Sequence, residues 1–325
     1  MAWVVTGGAG YIGSHVAESL LNAGHRVVVL DDLSSGNEQF VPESADLVRG
    51  SILDRQALLE ALAGATGPDS GVVHLAATKY AGVSVREPLH AYEINVEGTR
   101  ALLAACAELG IRNFVFSSSA SVYGSGAVDT VTEDSPLMPE SPYGETKLIG
   151  EWLARDVSRA LRLAGSATPM AQVALRYFNV VGSGSSGVRD LSPHNLFPLA
   201  IAAMVRGDAP QIHGTDYNTP DGTCVRDYIH VVDVAEAHVA AANALVAGRE
   251  LPDALNLGRG EGYSVRQVLG ALIAEAGLEI SPLEGPRRPG DPDRIVADPA
   301  AAEATLGWRA ERDLQEMVRS AWAAR

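Results

Sequence analysis

The chain has 325 residues, 46% of them apolar and 20% charged, with a net charge of −15 and two cysteines. This composition supports a large packed core, in one domain or two interleaved ones, and excludes a disordered chain. The acidic balance carries no basic stripe for nucleic acid, no apolar run approaches the roughly 20 residues of a membrane helix, and Cys106 and Cys224 are too isolated for a metal cluster or a disulfide framework.

The opening stretch, Met1 to Val5, runs straight into a strand-like segment with no basic leader, so the cytoplasm is the expected compartment. In chain order, buried strands are expected at Trp3 to Thr6, Arg26 to Leu30, Val72 to Leu75, Phe114 to Ser117 and Gln172 to Leu175. Between them, apolar spacing predicts helices at Tyr11 to Asn22, Arg55 to Ala63, Pro88 to Leu109 and Tyr143 to Leu163. Alternating strands and helices imply βαβ units and a parallel sheet covered on both faces. Past about residue 180 the pattern loosens into Gly-, Ser- and Pro-rich stretches. Helices are expected there at Leu196 to Arg206, Val232 to Val246, Val265 to Ala276 and Leu314 to Ala324. The expected organisation is a doubly wound Rossmann-type sheet over 1–178, with later segments returning to it, and a smaller, loop-rich lobe over 179–325.

The first strand leads into VVTGGAGYIGSH. Gly8 to Gly13 fits G-x-G-x-x-G, and Gly7, Gly10 and Gly13 also fit G-x-x-G-x-x-G. Glycine is needed because a side chain would block the backbone from a pyrophosphate, which then meets the N–H groups of a helix start at Tyr11 and Ile12. A bare glycine-rich turn is the plain alternative, but strand before and helix after favour a dinucleotide. Eighteen residues beyond Gly13, in LDDLSSG, Asp31 is the candidate for the adenosine ribose, with Asp32, Ser35 and Gly36 around it. Two carboxylates without an adjacent arginine repel a 2′-phosphate, so NAD is expected rather than NADP.

Tyr143 and Lys147, in SPYGETK, are four apart and would on spacing alone be an ordinary exposed helix pair. Twenty-four residues earlier, FVFSSSASVYG ends a strand in the serines 117 to 119. Ligands of parallel sheets sit at the carboxyl ends of strands. A hydroxyl there can hold a substrate oxygen while a tyrosine exchanges its proton. A neighbouring ammonium favours the phenolate that such a tyrosine needs.

The glycine turn, Ser119 and Tyr143-x-x-x-Lys147 together resemble the extended short-chain dehydrogenase/reductases. TGGAGYIGSH, FSSSASVYG, SPYGETK, LRYFNVVG, DGTCVRDYIHVVDVAEAH and RRPGDPDRIVAD resemble, over essentially the whole chain, the UDP-glucose 4-epimerase family. Ala120 and Ser121 stand where related dehydratases usually carry an acidic pair, so elimination chemistry lacks its carboxylates.

The resemblance implies a reversible 4-epimerisation of UDP-hexoses. Tyr143 is then the base at the C4 hydroxyl, Ser119 supports that oxygen, and Lys147 holds the nicotinamide ribose and lowers the tyrosine pKa. It places Ser51, Ile52, Leu75, Ala76, Ala77, Lys79 and Phe178 along NAD. It places Asn179, Asn195, Leu196, Gln211, Ile212, His213, Arg226, Arg288 and Asp291 along the UDP moiety, with Ile295 walling the hexose. Two arginines on two phosphates suit a charge-assisted, bidentate grip. Several positions depart from the family: Ser51 replaces an acid near adenine, Ile94 replaces an asparagine lining the cofactor, leaving Asn95 as the firmer match, and His213 replaces an aromatic ring. Isoleucine at 295 is intermediate in bulk and suggests use of UDP-GlcNAc as well as UDP-glucose. A homodimer is implied through the helix in GTRALLAACAEL and the Tyr143 helix, the alternative being burial within one subunit. Other UDP-pentose or UDP-uronate reactions, and a non-catalytic NAD sensor, are the competing readings. No metal is expected.

Overall fold

The computed structural model describes residues 1–125, 130–166, 169–185, 187–288 and 291–325. Within them, β1 (Ala2–Thr6), α1 (Tyr11–Asn22), β2 (Arg26–Asp31), β3 (Asp46–Arg49), α2 (Arg55–Leu62) and β4 (Gly71–His74) open the chain. Then come α3 (Ala81–Arg86), α4 (Pro88–Tyr92), a π-turn over Glu93–Glu97, α5 (Gly98–Leu109), β5 (Asn113–Ser119), β6 (Thr130–Val131), α6 (Pro142–Leu163), β7 (Ala171–Tyr177) and β8 (Asn179–Val181). The remainder holds α7 (Leu196–Val205), β9 (Gln211–His213), β10 (Val225–His230), α8 (Val231–Val246), β11 (Ala254–Leu257), β12 (Gly262–Ser264), α9 (Val265–Glu275), β13 (Leu283–Gly285), β14 (Arg294–Ala297), α10 (Ala300–Leu306) and α11 (Leu314–Ala323).

The main sheet runs β11-β7-β5-β4-β1-β2-β3, and every pairing in it is parallel. This is the expected doubly wound α/β sheet. Alternate residues of β1 serve opposite faces. Trp3 and Val5 join the core beneath α1 and α8, while Val4 joins the one beneath α2 and α5. A strand buried on both faces must be apolar at every position, which is why these strands read as unbroken hydrophobic runs.

Two differences from the sequence expectation have local causes. The expected helix from 88 to 109 is interrupted at Glu93–Glu97 by the π-turn. β3 was not expected, because DLVR is charged at both ends and lies at the sheet edge. β11 returns to the sheet from beyond residue 250 and pairs with β7, Leu255 opposite Leu175. α8 and α10 also pack on this sheet, through Val234, Ala241 and Ala302. The rest of the later chain forms a separate core around Phe197, Ile212, Tyr228, Leu269 and Val318. It carries a second sheet, β12-β10-β14-β6, with β8 joined to β10. Strand order reverses between β1 and β4, so a crevice opens at their carboxyl ends.

Candidate active site

At that crevice Gly7 takes φ +72°, and an added Cβ would lie 2.7 Å from the Ala76 nitrogen. The turn therefore lies against Leu75 and Ala76, which with Ala77 follow β4. At Gly13 a Cβ would fall 2.1 Å from the Gly7 oxygen, so α1 starts in direct contact with the turn. Gly10 gives α1 no side-chain cap, and its first turn, with Tyr11 and Ile12, holds no acid. Those leading N–H groups and the helix dipole suit an anion, so these residues fit a dinucleotide pyrophosphate.

Asp31 and Asp32 turn out to differ. The buried Asp31 carboxylate accepts from the backbone N–H of Ala9 and of Leu33, both at 2.9 Å, and burial raises its pKa. It ties the glycine turn to the next loop, where Leu33 sits at φ +59°. A Cβ at Gly36 would lie 2.8 Å from Asp31 Oδ1, so this loop closes over the carboxylate beside the exposed Ser35. Asp32 is exposed and accepts from Ser34 N–H and Oγ–H. A carboxylate has about four acceptor positions, so both acids retain capacity for ribose hydroxyls. Beyond β3, Ser51 accepts from Leu53 N–H at 3.2 Å, and Ile52 is buried against Gly98.

α6 begins with Ser141 as cap, Pro142 in the first turn and Tyr143 next to it. The Tyr143 hydroxyl stands beside Ser119, the last residue of β5, whose side chain favours its ionised form. One turn on, the Lys147 ammonium lies 5.9 Å from the Tyr143 ring centre, 5.3 Å from that of Phe116, and donates to Ser117 O at 2.8 Å. Burial brings the Lys147 pKa down to about 8. Burial pushes the Tyr143 pKa up, against the influence of the Ser119 side chain. The expected lowering by Lys147 is not seen among the protein's own groups, where burial prevails, and a further positive charge beside the phenol is what a phenolate needs.

A buried polar chain behind this site had no signal in residue spacing. Ala76 N–H donates to Thr6 Oγ1, whose hydroxyl faces His74 Nδ1 at 2.7 Å; His74 Nε2 meets Thr99 Oγ1 at 2.9 Å, and Thr99 donates to Asn95 O. Asn95 accepts from Thr78 N–H at 2.8 Å and donates to Thr78 O and to Thr146 Oγ1, which donates to Tyr143 O. Asn95, in the π-turn, therefore clamps the loop that carries Lys79 to the first turn of the Tyr143 helix. Its neighbour Ile94 packs into the core. A second buried group lies under β5, where Arg176 grips Glu151 at 2.6 and 2.8 Å and Ser118 donates to the same carboxylate.

Across the crevice, β10 and β14 place Arg226 opposite Ile295. Arg226 donates to Val225 O and Pro292 O and stands 3.5 Å from Asp291 Oδ1. Arg288 and Asp291 both act electrostatically on His213, whose pKa burial lowers. These five residues are brought together. Ile295 also packs against the apolar group of Phe178, Leu148 and Val122. Ile212 is fully buried in the lobe core, with no surface open to a ligand, while Gln211 beside it is exposed. Asn179 opens β8, exposed and opposite Tyr228. Asn195 precedes α7 and Leu196 without a side-chain bond to the helix, and donates instead to Asp190 at 2.7 Å. Among the described residues no group of three or more His, Cys, Asp or Glu is placed to hold a metal ion.

The arrangement is similar to proteins already known. The family pattern described as the NAD dependent epimerase/dehydratase family matches residues 3–258. The UDP-glucose 4-epimerase of Bacillus subtilis is 40% identical, over 99% of this chain and 96% of its own. The structure is similar to that of UDP-glucose-4-epimerase from Stenotrophomonas maltophila with bound NAD and formylated UDP-arabinopyranose. There the TM-score is 0.92 and the identity 37%, over 100% of this chain and 97% of that one. It is also similar to UDP-glucose 4-epimerase from Bifidobacterium longum in complex with NAD+ and UDP, with TM-score 0.88 and 35% identity over 100% and 98% of the two chains. A glycine turn at the sheet's reversal point and a serine–tyrosine–lysine set one crevice away are accounted for together by one conclusion: the chain belongs to the NAD dependent epimerase/dehydratase family.

Proposed function

We propose that this chain is an NAD-dependent UDP-hexose 4-epimerase. The carrying observation is the Ser119–Tyr143–Lys147 set at the end of β5, in a chain whose other lobe gathers Arg226, Arg288 and Asp291. Residues 1–178, joined by the strand and helices that return to the sheet, hold NAD; residues 179–325 hold the UDP-sugar. NAD, when bound, takes up the hydride from sugar C4 and returns it to the opposite face. Tyr143 Oη accepts the C4 hydroxyl proton and gives it back, Ser119 Oγ holds that oxygen, and Lys147 holds the ribose and favours the phenolate. The uncapped start of α1 takes the pyrophosphate and Asp31, with Asp32, the adenosine ribose. Arg226 and Arg288 grip the UDP diphosphate. Gripping the remote nucleotide leaves the hexose free to turn, since binding energy away from the reacting carbon holds the substrate without fixing the sugar.

The protein acts as a cytoplasmic homodimer in this reading. Support for the dimer comes from Leu89, 85% exposed, with Val85 and Trp152 on the α3, α4 and α6 surface. Support for the compartment comes from the two buried free thiols.

The test is an NMR time course of UDP-galactose with purified protein and no added NAD, because the cycle has no net redox change. UDP-glucose should appear and approach a fixed ratio. UDP-GlcNAc should also turn over, more slowly, because Ile295 is smaller than a tyrosine at the hexose wall; no conversion at high enzyme would remove that part. If no UDP-hexose turns over, with or without NAD, another UDP-sugar is the substrate.

A further inference from the structure

We propose that Ser84 is a positioning residue for Tyr143, and that the ring pair Tyr80–His194 is the contact through which the substrate loop sets that position. The proposal rests on the epimerase reading above. The segment from Lys79 to Ser84 touches three parts of the site. Lys79 lies 5.5 Å from the Tyr80 ring. Tyr80 precedes α3, and its ring meets His194 edge-on, centres 4.8 Å apart at 73°. His194 is next to Asn195, and the backbone N–H groups of both are held by the buried Ser192 hydroxyl. One turn into α3, Ser84 Oγ accepts the Tyr143 N–H at 3.0 Å and donates to Ala81 O at 2.7 Å. Ser84 is 4% exposed.

The leading N–H groups of a helix have no acceptor within the helix. Ser141, the cap of α6, serves Gly144. The Tyr143 N–H therefore depends on a hydroxyl lent by another helix. That hydroxyl is oriented, because its own proton is committed to Ala81 O. α3 is six residues long, and its start is braced by Tyr80 against the substrate loop. A shift of that loop passes through the ring pair and one helical turn to the backbone of the residue bearing the reacting phenol. Catalysis is sensitive to such placement: about 1 Å of error can cost on the order of a hundredfold in rate.

Amide exchange and steady-state kinetics on the purified holoenzyme test this. In Ser84→Ala, exchange of the Tyr143 amide should quicken about tenfold or more, and kcat should fall about tenfold with KM and bound NAD unchanged. Ser84→Thr, which keeps the hydroxyl, should restore both. Tyr80→Ala leaves Ser84 intact, yet should also quicken exchange at the Tyr143 amide, and should add little to Ser84→Ala in the double variant. Tyr80→Phe should behave as wild type. An unchanged Tyr143 amide in Tyr80→Ala overturns the coupling, and wild-type kcat in Ser84→Ala overturns the positioning role. If Ser84→Ala does not fold, the Tyr80→Ala exchange result and Ser84→Thr kinetics decide the matter. A wild type inactive on UDP-hexoses would instead defeat the functional reading, while the exchange measurements would still report the linkage.

Discussion

Acidification from pH 7.5 to pH 5 should weaken the fold by several kcal/mol, and three buried histidines set the size. Burial holds His74 and His230 down at about 3 and His238 at about 4, from an ordinary 6.5. Each is neutral in the fold and takes a proton on unfolding. Its contribution is therefore complete above about pH 6.5 and is lost as the pH falls toward the folded value. At pH 5 each lies about 1.5 pH units below 6.5, which is about 2 kcal/mol at about 1.36 kcal/mol per unit, or about 6 kcal/mol for the three. Asp227 acts in the opposite direction. Burial raises its carboxyl from 3.8 to about 6, so at pH 5 it is protonated in the fold and ionised in the unfolded chain. That returns about 1.4 kcal/mol between pH 6 and 5. From these four groups the loss is about 4–5 kcal/mol, a large share of the roughly 5–15 kcal/mol of a typical domain. Urea unfolding followed by tryptophan fluorescence, at half-unit steps from pH 7.5 to 5, reads it directly. Near pH 5 the unfolding free energy should change by about 2.7 kcal/mol per pH unit, equivalent to about two protons. A His238→Phe variant should lose about one of them. A slope below about one proton would refute the reasoning, because it would mean the imidazoles meet water in the fold.

Other outcomes follow from the same contacts. Tyr143→Phe should lower kcat by about 10²–10⁴-fold while bound NAD and thermal midpoint stay near wild type; residual turnover within tenfold of wild type would remove the phenol from the mechanism. With Lys147 titrating at about 8, kcat should decline above that pH as the ammonium neutralises, and a flat profile to pH 9.5 would dissociate its charge from catalysis. Arg226→Ala should raise KM for the UDP-sugar by about 10–100-fold, the loss of one or two charge-assisted bonds of about 1.5–3 kcal/mol, and competitive inhibition by UDP should weaken in parallel. Gly7→Ala should yield protein depleted of NAD by absorbance, since the new Cβ would lie 2.7 Å from Ala76 nitrogen at a positive φ.

Much of this was legible because the strongest signals are local. The boundaries of α1 are those the apolar spacing indicates, since its cap, its turn and its buried face all lie within a dozen residues. The Tyr143 pair and the serines of β5 follow from the rule that ligands sit at strand ends. What escaped is non-local or too short for a period. The six residues of α3 include a glycine and show no stripe, so Ser84 had nothing to mark it. The π-turn adds a residue to one helical turn, and an apolar pattern cannot reveal that when side chains such as Asn95 and Thr99 supply its bonds. Ile212 shows the limit of motif matching, because neighbours in a binding segment alternate in direction and its side chain is spent on the lobe core.

The pairing of β11 with β7 has a consequence for how the chain is made. Seventy-six residues separate Tyr177 from Ala254, an interval of roughly 4–15 s at the usual pace of synthesis of roughly 5–20 residues per second. Throughout it, β7 stands as an exposed sheet edge and the face of α1 awaits α8. Such an edge invites pairing with other chains, and contacts this distant in sequence form slowly. Expression of residues 1–178 alone should therefore give aggregate rather than a small cofactor-binding domain, and chaperone dependence should concentrate in the window before residue 254 emerges.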